Sequence, residues 1–95
     1  MAAHNLYRAE PEAALIVRPL DDLTLIYHRP AGQTHLVVSP VPEILSALRG
    51  AGDASAWHVF GVLSQDFDLG EADEAVAAID GQLRALAALG LVRAL

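Results

Sequence analysis

The chain has 95 residues, six arginines, no lysine, twelve acids, a formal net charge of −6, 54% hydrophobic residues and no cysteine. Such a length supports one domain with a thin core, and the missing cysteine excludes disulfides, thiolate nucleophiles, zinc fingers and iron–sulfur centres. The arginines are scattered singly, whereas nucleic-acid binders cluster basic residues against phosphates, so no nucleic-acid partner is expected.

No basic start leads into an apolar run, because Arg8, Glu10, Pro11 and Glu12 interrupt the N-terminus before Leu15. No uninterrupted apolar span approaches the ~18 residues of a membrane helix. The expectation is a soluble, cytoplasmic domain without a membrane partner.

Residues 1–14 show no clear period and read as an arm, partly ordered, with Leu6 and Tyr7 tucked against a single domain over 15–95. Leu15 to Arg18 is a short strand-like run ended by Pro19, and Asp21-Asp22 turns the chain through side-chain bonds of the Asx kind. Leu23 to His28 and Gln33 to Val38 are further strand-like runs flanking Arg29-Pro30-Ala31-Gly32, a turn with Pro and Gly at its centre. A four-residue loop sets His28 opposite Gln33, Ile26 opposite His35 and Thr24 opposite Val37. Leu25, Tyr27, Thr34, Leu36 and Val38 then share the other, more apolar face, which is the expected core face. Tight connections make the three runs an antiparallel meander, with the third strand at an edge.

Three helices follow. Ser39-Pro40 is a helix start with Ser in the cap role; Val41, Ile44, Leu45 and Leu48 make one face, and Gly50 is the stop. Ser55 caps a second helix, with Ala56, Val59, Phe60, Leu63 and Phe67 on one face and Trp57 and His58 in its first turn. Asp68-Leu69-Gly70-Glu71 has capping-box spacing with Asp as the cap. The longest helix then buries Val76, Ile79, Leu83 and Leu86 and stops at Gly90; Leu91 to Leu95 reads as an extended tail.

No catalytic constellation stands out, so no enzyme is expected. Of the histidines His4, His28, His35 and His58, His28 and His35 project from one sheet face. None has the spacing of a metal-ligand motif, so no metal or other cofactor is expected. Ser39 and Ser55 serve as caps rather than nucleophiles, and the paired acids Asp21-Asp22 and Asp73-Glu74 point in different directions. Five acids between Asp66 and Glu74, with no base among them, read as a solvated helix start or as a docking surface for a basic partner. The edge run Gln33-Thr34-His35-Leu36-Val37-Val38 has no Lys, acid or Pro to blunt it. It could accept an extended peptide as a fourth strand, or be covered.

The segment LDD-x-x-x-x-YHRPAGQTHLV, a Pro-led helix after it, and a final Ala/Leu helix closing with LxxLGLV over Leu86 to Val92 resemble the PqqD-like peptide chaperones. Within these RiPP recognition elements, the chain is most similar to the subgroup of the HPr-rel-A system. That resemblance implies a winged-helix-like α+β fold, a three-stranded antiparallel sheet followed by three helices. It implies a non-catalytic domain that captures the leader of a ribosomally made peptide by strand addition and presents it to a modifying enzyme. Carried onto this chain, the peptide-binding residues are Gln33, Thr34, His35, Leu36, Val37 and Val38 on the third strand. Val76, Asp80, Leu83 and Arg84 would form the groove wall on the third helix. The implied partners are a precursor or leader peptide and an HPr-kinase-related protein of the same system. A scaffold that docks such a kinase-like partner, or a homodimer paired through the edge strand, is the alternative reading.

Overall fold

The computed structural model describes residues 5–95; His4 and the first residues of the expected arm lie outside the described residues. The strands are β1 (Tyr7–Ala9), β2 (Leu15–Leu20), β3 (Leu23–His28), β4 (Gln33–Val37) and β5 (Val92–Ala94). The helices are α1 (Val41–Ala51), α2 (Ala56–Leu63) and α3 (Ala72–Ala88), and a 3-10 turn spans Glu12–Ala14. This is the expected α+β class, an antiparallel meander β2-β3-β4 followed by three helices, with a second small sheet added.

The second sheet comes from the two stretches expected to be arm and tail. Tyr7, Arg8 and Ala9 pair antiparallel with Ala94, Arg93 and Val92. Tyr7 also exchanges both backbone hydrogen bonds with Ala54 (2.8 and 2.9 Å), and the Leu95 N–H donates to the Leu6 carbonyl at 2.9 Å. Tyr7 is 1% exposed, so the expected tucking holds for it, whereas Leu6 stays largely in solvent.

The hairpin register is as expected: His28 opposes Gln33, Ile26 opposes His35 and Thr24 opposes Val37. The core face is the reverse of the expected one. Ile26 is 0% and His28 8% exposed, and Val37 packs against the core, whereas Leu36 is 60% exposed and Val38 also faces solvent. Parity divides a strand into two sets, and here the helices cover the set carrying Thr24, His28 and His35. Ile16, Leu20, Leu23, Leu25, Tyr27 and Leu36 are left on the outer face, flanked by Thr34 and Arg18.

Helix boundaries follow local chemistry, with four departures. At α1 the flanking residue is Pro40, and no side chain caps the end; the expected Ser39 cap is absent, and the Val38 carbonyl instead accepts from Val41 N–H at 3.0 Å. The helix runs one residue past Gly50, and Gly52 follows at φ +79°. Helix α2 starts as expected, Ser55 Oγ accepting from His58 N–H, but it ends at Leu63, so Phe67 lies beyond it and is largely exposed. At α3 the cap is Glu71, whose Oε1 accepts from Asp73 and Glu74 N–H (2.9 and 3.4 Å). Asp68, expected in that role, accepts from Gly70 N–H and so closes a local turn instead.

The end of α3 is a Schellman motif: Leu91 N–H reaches the Leu86 carbonyl (2.9 Å) and Gly90 N–H the Ala87 carbonyl (3.0 Å), with Gly90 at φ +82°. A Cβ on Gly90 would lie 3.2 Å from the His28 ring. Glycine therefore both permits the turn and lets the buried histidine of β3 approach the end of α3. Val76, Ile79, Leu83 and Leu86 form the buried stripe of α3, as expected, against a core that includes Ile26, Ile44, Leu48 and Val59.

Candidate functional site

Strand β4 ends the β2-β3-β4 order. Its five residues are β-prone or neutral and follow a turn in which Gly32 supplies φ +64°. In an antiparallel ladder only alternate residues turn their N–H and C=O toward the neighbouring strand; the others point outward. The outer edge of β4 has no strand against it among the described residues. It carries no charged side chain, and His35 and Val37 are half-buried while Gln33, Thr34 and Leu36 are exposed. Val38, the last of the expected strand residues, lies past β4, where its carbonyl closes the turn into α1. The edge thus offers backbone donors and acceptors beside an apolar surface, the requirement for strand addition.

Of the α3 positions expected beside this edge, two are buried and two reach the surface. Leu83 is 0% exposed and belongs to the core, whereas Val76, 8% exposed, both packs in the core and lines an open notch. Asp80 and Arg84 reach the surface, but on the flank of α3 that meets α2 and β1. The Arg84 guanidinium pairs with Asp80 Oδ2 at 2.8–2.9 Å, and Tyr7 donates its hydroxyl to Asp80 Oδ1 at 2.9 Å. Asp80 and Arg84, with Trp57, Asp73, Val76 and Ala77, line a notch of about 300 Å³. Burial, then the hydrogen bond from its hydroxyl to Asp80 and the negative charge of that carboxylate, raise the Tyr7 pKa above its ordinary value. Helix α3 packs on α2, α1 and β5, and β4 packs on β3, with Val37 against the core that holds Val76 and Leu83.

His28 and His35 share the core face, on neighbouring strands and not directly opposite. Each holds a buried ring nitrogen without a hydrogen-bond partner, His28 Nδ1 and His35 Nε2. Among the described residues no group of three His, Asp or Glu side chains converges so as to hold a metal ion. His58 is exposed in the first turn of α2. No helix among the described residues is long and apolar enough to cross a membrane.

The tucking of Tyr7 is as expected, but its partners are missed: a lone aromatic between an apolar residue and Arg8 does not point to Asp80 or Ala54. The exposed ring of Phe67 was missed too, because helical spacing carried it onto a helix that stops earlier.

No family model matches the chain, and no curated protein matches it. Among solved structures the fold is similar to that of TbiB1 in complex with the TbiA(beta) leader peptide. The TM-score is 0.71 at 16% identity, over 90% of this chain and 94% of that one. At that identity the likeness shows the fold.

Proposed function

We propose that this chain is a non-catalytic peptide-binding chaperone, a RiPP recognition element that captures the leader of a ribosomally made peptide and presents it to a modifying enzyme. The observation that carries this reading is the open, uncharged edge of β4 over Gln33–Val37, on a fold similar to that of a protein solved with a leader peptide. The peptide adds as a strand beside β4, its backbone supplying affinity and its alternate side chains selectivity. Thr34, Leu36 and Val38 border it on one face of the sheet, and His35 and Val37 on the other. Of the four α3 residues, Asp80 and Arg84 are accessible to a partner, Val76 lines the notch beside them and Leu83 supports the helix from inside. The resemblance to the HPr-rel-A subgroup supports an HPr-kinase-related protein as the enzyme-side partner.

The test is an amide NMR titration of the labelled domain with candidate leader peptides and with the kinase-related protein. Shifts concentrated in Gln33–Val38 are the expected result. Leu36→Pro, with the fold checked by circular dichroism, should abolish them, because Pro removes a backbone donor. An open edge also suits pairing with a second copy. No shift with any peptide, together with a concentration-dependent dimer through β4, would replace the chaperone reading with the dimerisation one.

A further inference from the structure

Two open cavities lie beside one another on the helical side. One, of about 520 Å³, runs between α1 and α2; the other, of about 260 Å³, lies against Ser39 and Pro40. They share Glu43, Leu63 and Phe67 as walls and so form one trough. The trough begins where β4 stops, since Ser39 and Pro40 follow Val38 directly.

Its chemistry is one-sided. Three acids, Glu43, Asp66 and Asp68, line it beside a single imidazole, His58, with no arginine among the residues that form it. Phe67 stands at the surface, 48% exposed, although it is a large aromatic. Glu43 Oε1 is buried with no hydrogen-bond donor. A place in the first turn of α1 accounts for an acid there, but not for a carboxylate oxygen withdrawn from water without a partner. The Glu43 side chain as a whole is only half-buried and lines both cavities, so an ammonium or guanidinium group in the trough would pair with its carboxylate.

We infer that the trough is a second subsite for the peptide that adds to β4. Past the added strand, the bound peptide carries a basic residue next to a large apolar one; the basic group pairs with Glu43, and the apolar side chain packs on Phe67 and Leu63. An extended chain advances about 3.3 Å per residue, so a few residues beyond the level of Val38 reach Pro40 and the trough behind it. This inference rests on the strand-addition reading and adds a substrate class to it: leaders with a basic–apolar step flanking the strand segment.

The probes are synthetic peptides in which one half alternates Thr and Val and the other repeats Ser-Arg-Leu, made in both orders, with twins carrying Glu in place of Arg. Titrated into the labelled full chain, the arginine peptides should move amides near Glu43, Leu63 and Asp66 as well as those of β4. They should bind about tenfold more tightly than their glutamate twins, since like charges in one site repel. Glu43→Gln and Phe67→Ser, each checked for retained helicity, should each weaken the arginine peptides by about five- to tenfold. Equal affinity for the arginine and glutamate peptides overturns the inference. Shifts confined to β4 overturn it while leaving strand addition standing. Shifts in the trough alone overturn the continuity between the sites and count against strand addition, and no binding by any probe removes both.

Discussion

Replacing Tyr7 tests whether residues 5–9 are structural or a detachable arm. The ring is 1% exposed, its hydroxyl donates to Asp80 at 2.9 Å, and both its backbone N–H and its carbonyl are bonded to Ala54. Truncating a buried aromatic to alanine costs about 3–5 kcal/mol, a large share of the ~5–15 kcal/mol that holds a domain of this kind folded. Tyr7→Phe keeps the ring and removes only the hydroxyl. Hydrogen bonds to charged groups contribute about 1.5–3 kcal/mol, but Asp80 keeps Arg84 as a partner and is partly wetted. We therefore expect a loss of about 1 kcal/mol, or a melting point lower by about 4–8 °C. Urea unfolding followed by Trp57 fluorescence and by far-ultraviolet circular dichroism measures both variants. If Tyr7→Ala lies within about 0.5 kcal/mol of the parent, the level of ordinary surface substitutions, then β1 is not part of the cooperative unit and the reasoning fails.

Three more predictions follow from local geometry. Because the Tyr7 pKa is raised in the folded state, the phenol stabilises the fold fully below its unfolded pKa of about 10, and this contribution is lost as pH rises through the higher folded value; alkaline unfolding curves should be shallower for Tyr7→Phe. Glu71→Ala should cost about 1 kcal/mol, as the loss of an N-cap does, and Asp68→Ala distinctly less; the opposite order in urea melts would restore the Asp68 cap. Gly90→Ala should destabilise by about 1–2 kcal/mol through its positive φ, with an added cost from the His28 ring that disappears in a double-mutant cycle with His28→Ala.

The parts of the fold legible in the sequence are those fixed by short-range geometry. The four-residue loop set the β3–β4 register, and helical spacing marked the buried stripes of α1 and α3, because both depend only on chain periodicity. The sheet face was misread for a physical reason: hydrophobicity chooses between two parity sets only when the more apolar one is covered. In this chain Leu23, Leu25 and Leu36 lie outside, while Thr24, His28 and His35 lie under the helices. Strand β1 left no signal and β5 only that of an extended tail, each being three residues with an arginine at the centre, Tyr7-Arg8-Ala9 and Val92-Arg93-Ala94. The edge of β4 was legible from its lack of charge. The trough was not, because its walls come from α1, α2 and the loop before α3, which only tertiary packing assembles.

The pairing of β1 with β5 bears on the order of folding events. Tyr7 meets Ala94 across almost the whole chain, and closing a loop of that length costs about 4 kcal/mol of chain entropy. Two strands of three residues cannot offset this alone; the burial of Tyr7 against an assembled helical core can. The pairing is therefore a late event, made once the meander and helices are in place. Substitutions within it should leave the folding rate nearly untouched and accelerate unfolding, so the seam between the two ends of the chain governs how long the native state survives rather than how quickly it is reached.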